Sequence, residues 1–433
     1  MTIRALNSLF AAGLFGGGLL ALPAAAAPSW RFSFAPGAAP AGVTAVSPAT
    51  RYSDAAGFGF EPGSPVTAID RPGHGGFVTG SQPFYFSVKL PEGNYQVVVS
   101  LGDPAGSSVT TVKAELRRLM LQRIRTADGA VVSRAFNVAI RRPSYPGGQV
   151  RLKPREKTTE TWSWDDKLTL EFCDEHPAVS SVEIVPVPSL PTLFLVGDST
   201  MTDQAREPHN SWGQMITRFF GPGIVVASHA ESGESARDFI GEHRWPKVMS
   251  MIKPGDFVMI QFGHNDQHDR GPNPGAYASY TTFLKQYVAD VRQHGAAIIL
   301  VTPMNRLAFD GGTLVNTLGD FPDAVRKICR EEQVPLVDLN AMSKVLYEAL
   351  GPGQAPALFA PSPSGGSDTT HQQDYGSYEL AQCVVRGIRS AAPDLARYLA
   401  PDATHFDPAH PDPVAGYDIP KEPVTKIVRP YGN

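Results

Sequence analysis

The sequence predicts two parts of different class, an all-β sandwich followed by a doubly wound α/β domain. Three observations carry that expectation. Up to about residue 188, apolar residues come in short β-branched and aromatic runs set apart by Gly, Pro and Asp clusters. Residues 186–191 read Pro-Val-Pro-Ser-Leu-Pro, a stiff and extended connection. Beyond them, continuous apolar runs alternate with residues spaced three and four apart, the pattern of parallel strands covered on both faces by helices. A chain of 433 residues accommodates two domains at roughly 100–200 residues each. With 42% hydrophobic and 18% charged residues it has material for a sizeable core and too little charge for a disordered chain. A formal net charge of −4 offers no basic field for a nucleic-acid backbone, and 3 cysteines exclude a disulfide-stapled scaffold.

In chain order, Arg4, the apolar stretch Leu9 to Leu22 and the small residues Ala24-Ala25-Ala26 form an export signal over 1–26. The apolar stretch is broken by Gly16 to Gly18 and by Pro23, and is too short to span about 30 Å of hydrocarbon. The mature protein is therefore expected to be exported, periplasmic or extracellular, and without a membrane span. Over 27–188 the expected strands are Phe84 to Val88, Tyr95 to Val99, Val131-Val132, Phe136 to Ile140, Leu168 to Phe172 and Ser181 to Val185. Glu115 to Ile124 contains helix formers, but its neighbours favour a strand. Over 192–400 the buried strands are expected at Leu193 to Val196, Ile224 to Ala227, Phe257 to Ile260, Ala297 to Val301 and Pro335 to Val337. Tyr277, Tyr280, Phe283, Leu284, Tyr287, Val288 and Val291 mark the clearest helix. The Pro- and Asp-rich residues 401–433 form an extended C-terminal tail over the surface. Cys329 and Cys383 lie on apolar helical patterns and read as buried thiols, with a disulfide between them as the open alternative.

Ligands of an open α/β sheet bind beyond the carboxyl ends of its strands. Four polar segments occupy such places: Gly197-Asp198-Ser199-Thr200, Ser232-Gly233-Glu234-Ser235, Gly263-His264-Asn265-Asp266 and Asp368-Thr369-Thr370-His371. Together they fit acyl transfer. A serine hydroxyl needs a base, for which His371 is the candidate, and the base needs an orienting carboxylate, which Asp368 supplies from one turn of backbone away. The amides of Ser199 and Gly233 and the side chain of Asn265 are candidate donors to the tetrahedral intermediate. Ser235 is the rival nucleophile, but no Gly-x-Ser-x-Gly elbow surrounds it. Asp338 is the rival acid, and its place after a strand suits a helix cap. His264, Asp266, His268 and Asp269 have metal-like residue types, but lie in a loop between Gly263 and Gly271-Pro272, so no metal is expected.

These blocks resemble, in order, those of the SGNH (GDSL-type) hydrolase superfamily. Asp203, Trp212-Gly213, Ser228-His229-Ala230, Ala236-Arg237-x-Phe239, Phe262 and Thr302-Pro303-xx-Arg306 narrow the resemblance to its rhamnogalacturonan acetylesterase branch. Arg31-Phe32-Ser33-Phe34 and Gly57-Phe58-Gly59-Phe60 resemble the galactose-binding-like sandwich that precedes some bacterial members. The resemblance implies a flavodoxin-like hydrolase domain, with Ser199, Asp368 and His371 as catalytic residues and Ser199, Gly233 and Asn265 as the oxyanion hole. It implies no metal and no organic cofactor. The implied partner is an acetylated polysaccharide or oligosaccharide, most directly rhamnogalacturonan, acted on by a monomer. His264 is then a candidate wall of the substrate cleft, and Arg237 and Arg306 are candidates for contact with an acidic pectin or for structural salt bridges. Xylan deacetylation, a general short-chain esterase or lipase, and a glycan-binding protein with a silent esterase site are the alternatives.

Overall fold

The computed structural model describes residues 29–403, 405–420 and 430. The expected export signal, 1–26, lies outside the described residues. No helix among them is long and apolar enough to cross a membrane.

The first part is built from two facing sheets. One orders its strands Val132–Ile140, Gly93–Leu101, Val179–Pro186, Trp30–Ser33 and Thr44–Ala45, with Thr67–Arg71 and Gly75–Thr79 attached at Val179–Pro186. The other runs Phe58–Phe60, Phe84–Lys89, Lys167–His176, Ser108–Ala114 and Arg118–Thr126. Their inner faces share one core, in which Phe32, Phe34, Phe60, Phe84 and Phe86 meet edge to face or tilted. The alternating residues of Gly93–Leu101, buried at Tyr95, Val97, Val99 and Leu101, show why the segment is a strand. Glu115 to Ile124 divides into a turn and the strand Arg118–Thr126.

The second part has a five-stranded parallel sheet in the order Val225–Ser228, Thr192–Gly197, Phe257–Gln261, Ala297–Val301 and Leu336–Val337. All five strands lie within one or two residues of the apolar runs that predict them. Thr192–Gly197 is buried along its whole length because helices cover both faces. Trp212–Met215, Leu339–Gln354 and Asp374–Ala391 pack on the face carrying Leu193, Leu195 and Met259. Ala236–Gly241, Arg244–Met249, Thr281–Gln293 and Phe321–Glu332 pack on the face carrying Phe194, Val196 and Ile260. Cys329 and Cys383 fall on these opposite faces, so they do not bridge, and all 3 cysteines are buried free thiols.

Residues 186–191 differ from the expected extended spacer. The Leu190 N–H donates to the Val187 carbonyl at 3.2 Å, closing a turn, and Val187 and Leu190 pack on the second core. The reason is that the two parts share a polar, dehydrated seam. The hairpin turn at Glu115 and Arg117, both at positive φ (56° and 64°), carries two arginines into the second part. Arg118 Nε donates to Asp203 at 2.8 Å, and Arg117 donates to the His209 carbonyl at 3.0 Å and pairs with Glu207. Gln214 and Thr217 return hydrogen bonds to the carbonyls of Leu116 and Leu119 at 2.6 and 2.7 Å. Removing one member of a buried pair strands the other's charge. Arg118→Ala is therefore expected to lower stability by about 3–5 kcal/mol, read as a fall in the urea midpoint. A midpoint equal to the parent's contradicts a dry seam.

The described residues of the tail, 401–403 and 405–420, are mostly irregular and exposed, with a few points of anchorage. Among them are one 3-10 turn, Val414–Gly416, and the buried Phe406 and Ile419, while Lys113 and Arg123 of the first part donate to the carbonyls of Pro420 and Asp418. Its apolar residues are too sparse for periodicity, yet they find the core.

Candidate active site

Three neighbouring strands deliver the first three blocks to one end of the sheet. Thr192–Gly197 leads directly into Asp198 and Ser199, Val225–Ser228 into the loop holding Gly233, and Phe257–Gln261 into Gly263, His264 and Asn265. The strand order reverses direction between Thr192–Gly197 and Phe257–Gln261, the crevice where open α/β sheets bind ligands. The fourth block lies on a short strand, Ser367–Gln372, paired with Phe359–Pro361.

These elements bring Ser199, His371 and Asp368 into one relay. His371 Nε2 stands 3.0 Å from Ser199 Oγ, and His371 Nδ1 stands 3.0 Å from Asp368 Oδ2. Asp368 Oδ1 accepts the backbone N–H groups of Thr370 and His371 at 2.8 and 3.0 Å, which fixes the carboxylate against its own strand. Burial alone would raise the Asp368 carboxyl; the His371 ring and these two amides outweigh it and hold the group well below the usual carboxylate range. The geometry leaves a proton on Nδ1 and aims the lone pair of Nε2 at the serine hydroxyl.

The candidate oxyanion donors come from the first three blocks. Among the described residues no acceptor takes the backbone N–H of Ser199 or of Gly233. Asn265 Nδ2 donates one hydrogen to the Glu234 carbonyl at 2.9 Å, leaving its second for the site. Gly233 has φ +82°, a conformation that favours glycine. Gly233 and Asn265 open onto a groove of about 700 Å³ that Lys153, Arg237, His268 and Arg270 also line.

Asp198 takes no place in the relay. Its Oδ1 accepts from the Thr200 amide and hydroxyl at 2.9 and 2.8 Å, and its Oδ2 faces His264 Nδ1 at 3.2 Å. Burial opposes its ionisation, but His264 and Thr200 together keep its carboxyl below the ordinary value. His264 corrects the expectation of a cleft wall: it is 0% exposed, with its other ring nitrogen 3.0 Å from the Met304 carbonyl. The cause is local. At Gly263 (φ +137°) the backbone runs so close to Pro303 that an added Cβ would lie 2.7 Å from its ring, and the chain turns the histidine inward.

Arg237 lines the groove while paired with Asp269 at 3.0 Å and stacked over Phe283 at 4.8 Å. Arg306 lies under the rim, donating to Gln267 at 2.6 Å and Thr370 at 3.2 Å, and so ties the third block to the fourth. Ser235 caps the helix Ala236–Gly241 and bonds Asp238 at 2.7 Å; Asp338 caps Leu339–Gln354 and pairs with Arg326. Gln204, which the sequence did not single out, donates to the Ser199 carbonyl at 2.8 Å and reaches Ser232 Oγ at 3.4 Å. His209, also missed, meets the His371 ring edge-on at 6.0 Å.

Residues 195–376 match the GDSL-like lipase/acylhydrolase family, and residues 30–122 match the β-agarase/YXIM esterase-like, galactose-binding domain-like family. Among curated relatives, the rhamnogalacturonan acetylesterase RhgT of Bacillus subtilis is 38% identical over 218 residues, which cover 48% of this chain and 93% of the relative. The uncharacterized esterase YxiM of the same organism is 26% identical over 391 residues, covering 86% of this chain and 94% of the relative. The crystal structure of that Bacillus subtilis protein aligns with a TM-score of 0.45 at 24% identity, over 84% of this chain and 98% of the other.

Proposed function

The chain belongs to the GDSL-like lipase/acylhydrolase family and is an ester hydrolase, and from that premise we propose that it is an exported carbohydrate esterase removing acetyl groups from plant cell-wall polysaccharide, rhamnogalacturonan foremost. The observation that carries the reading is the relay of Ser199, His371 and Asp368, aligned at 3.0 Å and 3.0 Å. The similarity to a relative named a rhamnogalacturonan acetylesterase supports the choice of polysaccharide.

In this reading Ser199 Oγ attacks the acetyl carbonyl carbon while His371 Nε2 takes the hydroxyl proton. The carbonyl electron pair moves onto oxygen, where the N–H groups of Ser199, Gly233 and Asn265 meet it. Collapse breaks the bond to the sugar oxygen, which takes the proton from His371 and leaves as the free hydroxyl. Water, deprotonated by the same imidazole, then attacks the acetyl carbon; the bond to Ser199 Oγ breaks, Oγ takes the proton back from His371, and the acetic acid formed leaves and ionises to acetate. Asp368 holds the ring and balances its transient positive charge. We assign the relay and its donors to a hydrolase domain over 192–400, behind a sandwich over 27–188 and ahead of a tail over 401–433. The enzyme acts as a monomer.

Acetate release from acetylated rhamnogalacturonan, acetylxylan and long-chain esters tests the substrate. The pectic polymer is expected to give the highest kcat/KM. Preference for acetylxylan, or for long acyl chains, overturns the proposed polysaccharide and leaves the acyl-transfer chemistry intact.

A further inference from the structure

We propose that Lys153 and Arg155, which lie in the part preceding the hydrolase domain, are positioning residues for the Gly233 amide, so that the first part completes the oxyanion hole of the second. The inference rests on the reading of Gly233 as an oxyanion donor.

The peptide unit joining Ser232 to Gly233 is trans, so its C=O and its N–H point in opposite directions within one plane. Fixing the carbonyl therefore fixes the amide. The Ser232 carbonyl accepts from Lys153 Nζ at 2.6 Å and from Arg155 Nη2 at 2.8 Å. Both donors are cationic, and they come from a segment some eighty residues earlier. They hold the carbonyl on the first part, and no protein acceptor among the described residues takes the Gly233 N–H on the opposite side of the peptide plane. Two positive charges on the oxygen also draw electron density from the amide, which makes its N–H a stronger donor to a developing oxyanion.

The support behind the two cations is rigid. Arg155 opens the 3-10 turn Arg155–Lys157, in which Glu156 accepts both Nη groups of Arg244 at 3.0 and 2.7 Å and the indole N–H of Trp164 at 2.7 Å. Glu156 also accepts the Lys153 amide at 2.7 Å. Arg155 pairs with Glu231, whose carboxylate accepts the Ser232 amide at 2.9 Å, and Lys153 pairs with Glu234. The loop is held from the other side by the Glu231 amide, which donates to the Gly197 carbonyl at 3.0 Å. The residues on both sides of Gly233 are thus gripped by charged groups, and Gly233, at φ +82°, makes the turn between them. Mere neutralisation of Glu231 and Glu234 would not require both cations to converge on one carbonyl oxygen.

The test uses Lys153→Met, Arg155→Met and the double variant in the full chain, with p-nitrophenyl acetate as a neutral substrate. Each single change is expected to lower kcat about tenfold, and the double about a hundredfold, at nearly unchanged KM. Affinity for a trifluoromethyl ketone, which mimics the tetrahedral oxyanion, falls in step with kcat/KM. Lys153→Arg and Arg155→Lys restore most of the rate, because each returns a cationic donor to the Ser232 carbonyl. A lowered thermal midpoint with parental kcat, or a change in KM alone, overturns the proposal. Should the double variant not fold, parental kcat in both single variants overturns it. Asn265→Ala, expected to cost on the order of 10²–10³ in kcat, separates the two levels. If it does so while Lys153 and Arg155 prove silent, only the positioning role falls; if it too is silent, the oxyanion assignment falls with it.

Discussion

Ser199→Ala is expected to lower kcat for p-nitrophenyl acetate by about 10⁶-fold. The hydroxyl at this position faces the imidazole at 3.0 Å, whereas the nearby Ser235 hydroxyl is committed to Asp238 at 2.7 Å and to its helix start. No second alcohol therefore inherits the attack. What survives is the pull of the oxyanion donors on water-driven hydrolysis, which leaves a residual well above the uncatalysed rate. The fold should notice little. Ser199 is nearly fully buried, and the change removes one oxygen and one hydrogen bond from a loop already fixed by Asp198, Thr200 and Gln204. Burst kinetics sharpen the reading: the parent accumulates acetyl-enzyme on Ser199 and the variant does not. Retention of even a hundredth of the parental rate by a folded variant would place the attack on another group.

What the sequence disclosed and what it hid divide along a physical line. The five strands of the parallel sheet are legible because they are largely buried and so read as unbroken apolar runs. Three of the four polar blocks are legible because they follow such runs directly or within a few residues, where the topology leaves the chain at the carboxyl edge. The sandwich is harder. Thr67–Arg71 and Gly75–Thr79 form a half-covered edge and mix Gly, Asp and Arg into their strands, so their alternation is faint. The seam is hidden altogether. Arg117, Arg118, Lys153 and Arg155 have the composition of solvated loops, and only the fold shows that Arg118 is 2% exposed and paired with Asp203. Burial of a long cation depends on a carboxylate distant in sequence, which no local period encodes. His264 shows the converse error. Its place beside Gly263 and Asn265 suggests the cleft, but a single backbone turn decides which face a side chain takes.

Asp368→Asn is expected to lower kcat by about 10⁴-fold while leaving the shape of the site intact. An asparagine fits the same volume and its carbonyl oxygen still accepts the amides of Thr370 and His371, but its NH₂ group would meet the imidazole as a donor. The ring then presents its lone pair to position 368 and its proton to Ser199, the wrong way round for taking the serine proton. The loss should appear across the neutral range, because the parental carboxyl, held below its ordinary value, is ionised throughout it. Stability supplies an independent readout with a definite sign. A carboxyl whose folded pKa is depressed contributes stability that is fully present above its unfolded pKa, about 3.9, and is lost as pH falls through the folded value. The parent should therefore exceed the variant in thermal midpoint at pH 7, and the gap should narrow only as pH drops below about 4. A rate loss confined to acid pH, or a stability gap that closes already near neutrality, would mean that the His371 ring is oriented by something other than this carboxylate.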